Sequence, residues 1–271
     1  MNVKKPLLLL SLLILLMQVS ALAEQPEWTY PIKATTLEDK TGLLILTNKK
    51  SLIDGDYVPY HLVNLPVRAT IRGMQLRKEA ADALKLMFAA AEKDGYTLYV
   101  KSAYRSYKVQ KTMYENRLEK YKKDDGVVAF PGSSDHQTGL AVDILNYAWT
   151  RQEGMRPEFS QTNEAKWLDE NCARFGFVLR YMEDKQESTG IIFEPWHFRY
   201  VGKEVAKYMM DKHLSLEEFT EEYQQAIADY ENAGGDFKAL CKQLNELPPP
   251  VEIAGENEDG ENEVSLFYKQ P

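Results

Sequence analysis

The sequence predicts an α+β domain, a small antiparallel sheet flanked by helices, followed by a helical C-terminal extension. Three observations point there. Helical and strand-like apolar periodicities interleave between residues 43 and 203. The strand-like runs are short and bounded by turn residues, and beyond Gly202 the pattern turns to amphipathic helix.

Residues 43–46 (Leu-Leu-Ile-Leu) read as a short strand, and residues 59–66, bracketed by Pro59 and Pro66, as an extended arm. From Leu76 the apolar spacing is helical, through Ala80, Leu84, Phe88 and Ala91, until Asp94-Gly95 ends it. Residues 96–102 alternate, with Leu98 and Val100 on one face of a half-buried strand. Ser106 is placed to cap a second helix carrying Val109, Met113 and Tyr121, which stops near Asp124-Asp125-Gly126. Residues 131–134 (Pro-Gly-Ser-Ser) form a turn into a strand over 140–145. Asn163 is expected to cap a third helix with Trp167, Leu168, Cys172 and Phe175 inward and Gly176 closing it. Residues 177–181 and 191–201 complete the strands.

In the extension, residues 204–247, Ser215 and Glu218 make a capping box ahead of a stripe of Phe219, Tyr223, Ile227 and Tyr230. Such a stripe seeks the nearest core, so it is expected to pack on the preceding domain. Gly234-Gly235 interrupts, and a short helix follows over 237–247. Residues 248–271 begin with three prolines and continue with five acidic residues among 256–263, a composition predicted to be disordered.

The first 23 residues have the form of a secretory signal: Lys4 and Lys5, an apolar core over 7–17, and Ala21-Leu22-Ala23 as the cleavage end. The alternative is a retained anchor, since the uncharged run over 6–23 is 18 residues, at the short limit for a bilayer. Cleavage would leave 248 residues, with residues 24–42 as an N-terminal arm, and would move the formal charge from −8 to −10. The expectation is an exported protein, periplasmic or extracellular, with no stable membrane insertion after cleavage. An acidic chain of this kind lacks the basic face that nucleic acid requires. Two cysteines, Cys172 and Cys241, are too few for a disulfide-built fold, and an oxidising compartment would permit their pairing without requiring it.

Two of the four histidines sit in chemically suggestive company. Residues 134–143 read Ser-Asp-His-Gln-Thr-Gly-Leu-Ala-Val-Asp, a turn that feeds a strand and lets His136 and Asp143 approach from neighbouring segments. An imidazole and a carboxylate suit Zn²⁺. Residues 193–200 read Phe-Glu-Pro-Trp-His-Phe-Arg-Tyr, an extended segment with Trp196, Phe198 and Tyr200 packing on one side and His197 and Arg199 on the other. Glu194 would face away from His197 in a regular strand, so a bend at Pro195 is needed for it to join a site. Taken singly, each residue has an ordinary structural role open to it, and only convergence makes a site. His61 and His213 lack comparable surroundings and are read as structural. No His-Glu-x-x-His pair occurs.

With Ser-Ala-Tyr-Arg-Ser-Tyr at 102–107 and Gln110 added, these segments resemble the D-alanyl-D-alanine carboxypeptidases of the VanY type. That family is related to the VanX dipeptidases and, more distantly, to lysostaphin-like and hedgehog-type folds. The resemblance spans residues 43–203 and implies a hedgehog/D-Ala-D-Ala-peptidase-like catalytic domain there. It implies that His136, Asp143 and His197 hold one Zn²⁺ per chain and that Glu194 is the general base and acid. Three protein ligands leave the fourth zinc position open, as expected of a catalytic site. By the same resemblance Arg105 belongs to the pocket, either as the anchor for a terminal carboxylate or as the stabiliser of charge on the scissile carbonyl. Ser134, Gln110 and Tyr104 are implied substrate contacts, and Trp196 is read as core packing.

The implied substrates are peptidoglycan stem peptides or muropeptides. D,D-cleavage of pentapeptide stems is the primary reading, and L,D-cleavage of tetrapeptide stems the alternative within the same chemistry. Residues 147–161 and 183–189 are the expected pocket walls. A non-catalytic cell-wall-binding protein is the alternative of a different class; its signature, loss of a ligand or of the base, is absent from this sequence.

Overall fold

The structure, a computed structural model, describes residues 25–246, 251–256 and 262–267. The predicted signal segment lies outside the described residues. Helix α1 (Ala34–Leu37) in the N-terminal arm is followed by an antiparallel ribbon of β1 (Leu62–Asn64) and β2 (Gln75–Arg77). Helix α2 (Lys78–Lys93) leads to β3 (Leu98–Ser102), then α3 (Tyr107–Tyr121) and β4 (Ala141–Asn146). Short helix α4 (Tyr147–Thr150), α5 (Asn163–Asn171), β5 (Phe177–Leu179), α6 (Gln186–Thr189) and β6 (His197–Tyr200) complete the central body. Strands β3, β4, β6 and β5, in that order, form one antiparallel sheet. The expected α+β architecture is present.

The core forms where α2 lays Ala80, Leu84, Met87, Phe88 and Ala91 against Leu98, Val100, Val142, Ile144 and Phe198 of the sheet. From α5 and the turn after it, Trp167, Leu168 and Cys172 close the same cluster. Full burial of each large apolar side chain there contributes roughly 1.5–3 kcal/mol. Thr162 rather than Asn163 caps α5, its hydroxyl accepting from the Ala165 amide at 3.2 Å. Ser106 caps α3 as expected, accepting from Val109 N.

Helix α3 differs from its sequence reading. Val109, Met113 and Tyr121 are exposed, and the one buried residue of the helix is Gln110. Its apolar side is therefore turned away from the core, and Met113 lines a cleft.

Residues 43–46 are not a strand. Asp39 accepts from the Leu43 and Leu44 amides, and the Leu43 and Ile45 carbonyls accept from the Arg199 guanidinium. Side chains thus satisfy the backbone groups that a neighbouring strand would otherwise pair.

Helices α7 (Lys203–Lys212) and α8 (Leu216–Asn232) pack on the body. Val205, Ala206, Met209, Leu216 and Phe219 bury against Ile32 and Leu37 of the arm, Leu44 just beyond it, and Val178 and Val201 of the sheet region. The Ser215–Glu218 capping box is formed in both directions. Helix α9 (Phe237–Glu246) follows. Within residues 248–271, where the sequence predicts disorder, strands β7 (Val251–Glu256) and β8 (Asn262–Phe267) pair as an antiparallel hairpin, and the rest of that segment lies outside the described residues. Among the described residues, no helix is long and apolar enough to cross a membrane. Cys172 and Cys241 are both free and buried, the first in the core and the second against the arm, where its thiol donates to Ala34 O.

Candidate active site

The site is assembled by strand register and two turns. In the β4–β6 pair Asp143 stands opposite His197. His136 arrives on a short 3-10 turn, Asp135–Thr138, which Gly139 ends with a left-handed φ of 69°. A Cβ at Gly139 would also sit 3.0 Å from Pro59, 3.1 Å from Leu62 and 3.2 Å from Arg77, so both conformation and space favour glycine. The bend required at Pro195 is a turn in which the His197 amide donates to Glu194 O at 3.0 Å. It returns Glu194 to the face that His197 occupies.

The side chains converge closely. His136 Nε2 lies 3.3 Å from Asp143 Oδ2, and His197 Nδ1 lies 3.2 Å from Asp143 Oδ1. Glu194 Oε2 is 3.3 Å from the same His197 nitrogen. His136, Asp143 and His197 form a buried group whose ligand atoms all lie within 4.8 Å of one another.

Two features fit a divalent cation. A carbonyl can only accept, so the 2.8 Å contact of His136 Nδ1 with Ala103 O puts the proton on Nδ1 and leaves Nε2 with a free lone pair facing Asp143. Asp143 Oδ1 is buried with no hydrogen-bond partner. Two imidazoles and one carboxylate are a donor set that zinc accepts.

Electrostatics reinforce the arrangement. Burial pushes the Asp143 carboxyl up, but His136 and His197 outweigh it and hold it well below the usual carboxylate range. For His197, burial disfavours the charged ring, and the adjacent Asp143 and Glu194 carboxylates more than reverse this, pushing it up to about 9. His136 is pushed down, chiefly by burial. Burial raises Glu194 above its ordinary value, against the opposing pull of His197. Such a carboxylate is a stronger base than one in water.

A cleft of about 250 Å³ opens over the triad, lined by Arg105, Ser134, Tyr181, Glu194 and Trp196 beside the three candidate ligands. Its outer wall is Met113 and Arg117 of α3 with residues 127–129, facing Met155 and Ile191. Residues 183–189, expected as a wall, do not line it, whereas Gly154 and Met155 place the 147–161 segment there. Arg105 is not a surface salt bridge: its guanidinium donates to Gln110 Oε1 at 2.6 Å and Ser102 Oγ at 3.1 Å. Burial lowers its pKa, and Asp143 and Glu194 oppose that.

Gln110 and Tyr104 do not line the cleft. Gln110 is fully buried behind Arg105, and its amide donates to Ala129 O at 2.7 Å. The Tyr104 amide donates to Gln75 O at 2.9 Å, tying it to β2. Trp196 both packs with Leu145 and Phe159 and borders the cleft. His61 and His213 lie outside, both exposed; the His213 ring pairs with Asp184 at 2.9 Å.

Tyr181 was missed by the sequence reading. Its ring packs at a tilt of 57° against that of His197, with centroids 4.7 Å apart, and burial raises its phenol well above the ordinary value. Its position two residues beyond β5, aromatic and next to a buried arginine, was the available signal.

This fold and this triad, with a carboxylate and a guanidinium over one cleft, define a hydrolase of the hedgehog-like peptidase class. Residues 73–203 match the family described as VanY, D-alanyl-D-alanine carboxypeptidase. A D-alanyl-D-alanine carboxypeptidase of Enterococcus faecalis is 34% identical over 213 residues, covering 74% of each chain. The solved LD-carboxypeptidase LdcB is 42% identical with a TM-score of 0.62, over 66% of this chain and 86% of that one. A variant of the vancomycin-resistance D,D-pentapeptidase VanY, in complex with Zn(II), is 34% identical with a TM-score of 0.55, over 65% of this chain and 98% of that one. The chain belongs to the VanY family of carboxypeptidases and is a hydrolytic enzyme.

Proposed function

We propose that this enzyme is a zinc-dependent carboxypeptidase that removes the terminal D-alanine from peptidoglycan stem peptides. The observation that carries this reading is the convergence of His136 Nε2, His197 Nδ1 and the Asp143 carboxylate, with Glu194 3.3 Å from His197. His136, Asp143 and His197 would hold the ion. Zinc bound there supplies Lewis-acid activation of water and of the scissile carbonyl.

The chain's own groups do the rest. Glu194 accepts a proton from the attacking water and returns it to the departing amine, so water adds across the broken C–N bond. Its burial suits both halves of that exchange. Arg105, braced by Gln110 and Ser102, presents a guanidinium to a free carboxylate or to the charge developing on the carbonyl oxygen. Ser134, buried on the cleft wall, offers a hydroxyl to the bound peptide. Met113, Met155, Ile191 and Trp196 exclude water on either side.

D,D-cleavage of a pentapeptide stem agrees with the family match and the enterococcal relative. L,D-cleavage of a tetrapeptide stem is favoured by the higher identity and TM-score of LdcB. Both substrates end in D-alanine with a free carboxylate and differ at the penultimate residue, which pocket shape discriminates. Export to the cell envelope follows from the substrate and from the N-terminal signal pattern. Zinc-loaded enzyme is to be incubated with purified pentapeptide and tetrapeptide muropeptides and followed by mass. Loss of one alanine from one of them supports the reading and names the specificity; loss from neither sinks it.

A further inference from the structure

Behind the triad lies a cluster of charge that the proposed reaction does not use. Asp135, the residue before His136, is completely buried. Its Oδ1 accepts from Arg199 Nη1 and from Thr47 Oγ1, both at 2.7 Å, and its Oδ2 accepts from Arg180 Nε at 2.9 Å. Arg180 turns its two remaining nitrogens to Glu217, each at 2.7 Å. Two carboxylates and two guanidiniums thus balance one another in the interior.

The origin of the parts is informative. Asp135, Arg180 and Arg199 lie within the 73–203 family region, whereas Glu217 is the second residue of α8 and Thr47 precedes that region. Segments flanking the family region therefore reach in to complete a cluster beside the metal-competent group. The point they reach is specific. His197 turns Nδ1 toward Asp143 and Glu194, and its Nε2 is buried with no hydrogen-bond partner. Asp135 Oδ2, at 4.0 Å, is the carboxylate oxygen that faces that nitrogen. A neutral imidazole that ligates through Nδ1 carries its proton on Nε2, and the group receiving that N–H fixes the ring and its tautomer.

A purely stabilising role is a poor account of this cluster. Buried ion pairs recover little more than their desolvation cost, and apolar residues of similar volume often replace them without loss. An oriented carboxylate behind a ligating imidazole cannot be replaced in that way.

We propose that Glu217 is a positioning residue for the metal centre: it holds Arg180 so that Arg180 and Arg199 together fix Asp135 behind His197 Nε2. The C-terminal helices are then part of the catalytic unit. This rests on the zinc reading above, and the test separates the two.

The full chain and two variants, E217Q and R180M/E217M, are compared by chelator competition for zinc, by melting of the metal-free protein and by steady-state kinetics. E217Q should bind zinc about 10- to 100-fold more weakly while folded, with kcat reduced and KM little changed. R180M/E217M, which removes the buried pair whole, should regain the melting temperature but not the zinc affinity; it also decides the matter if E217Q does not fold. Wild-type zinc affinity in E217Q, or recovery of affinity together with stability in R180M/E217M, overturns this inference alone. Wild-type protein that takes up no zinc overturns the metal reading and this one with it.

Discussion

Asp143 and His197 face each other across the β4–β6 pair, and that register brings Oδ1 of the first within 3.2 Å of Nδ1 of the second. A one-residue slip would turn one of them to the opposite face and dissolve the site. Neighbouring Val142 and Phe198, buried in the core, lock the register because either would otherwise be driven toward the cleft. Packing on one face of the sheet therefore fixes chemistry on the other.

Glu194→Gln should separate binding from chemistry. The amide keeps the shape but cannot accept the water proton, so turnover is expected to fall about 10²- to 10⁴-fold. Zinc content, measured by elemental analysis, should match wild type, since the three candidate ligands are intact. Full activity in this variant would remove Glu194 from the mechanism.

Acidity should inactivate the enzyme earlier than an ordinary glutamate would. Burial raises Glu194 above 4.5, and a base must be deprotonated to act. As pH falls, Glu194 takes up its proton at a higher pH than a solvated glutamate, so the acid limb of kcat/KM is displaced upward. A pH–rate profile with its acid limb at or below 4.5 would contradict the assignment.

Gln110→Ala should weaken Arg105, and it also removes the donor to the Ala129 carbonyl on the cleft wall. It removes the acceptor 2.6 Å from the guanidinium, and a hydrogen bond to a charged group is worth about 1.5–3 kcal/mol, or roughly 10- to 150-fold. A rise in KM assigns Arg105 to the terminal carboxylate, and a fall in kcat assigns it to the carbonyl oxygen. Unchanged kinetics would show that the brace is dispensable.

Gly139→Ala should destabilise the fold. The left-handed φ costs an L-residue about 1–2 kcal/mol, and crowding by Pro59, Leu62 and Arg77 adds about 1–3 kcal/mol. Calorimetry should show a melting temperature lower by roughly 4–20 °C for a domain of this size. A wild-type melting temperature would mean that the turn relaxes freely.

Neither thiol should react in the native protein. Burial pushes Cys172 up to about 12 and raises Cys241, and both are inaccessible. Mass spectrometry after iodoacetamide at pH 8 should find no adduct until denaturant is added, when two appear. Labelling of native protein, or two unlabelled thiols after unfolding without reductant, would contradict this.

Periodicity and turn chemistry carried much of the fold, because α2, β3, β4 and the capping box at Ser215 are local patterns whose physics is complete within a few residues. Residues 43–46 have an apolar run that resembles a strand, but nearby Asp39 and the distant Arg199 claim their backbone groups. Met113 and Val109 have the right spacing for a core helix, yet both are exposed, and Met113 lines the assembled cleft.

The sequence by itself determined which residue types could hold a metal and act as a base, since His136, Asp143, Glu194 and His197 announce that chemistry in two short motifs. Tertiary structure alone decided how they meet. It closed the turn at Pro195, aimed Nε2 of one histidine and Nδ1 of the other at a single carboxylate, and moved Gln110 from the pocket to a brace behind Arg105. It also brought Glu217 to Arg180, 37 residues away along the chain. Local pattern encodes what a side chain can do, whereas the direction it faces depends on strand pairing and packing between segments that sequence order keeps apart.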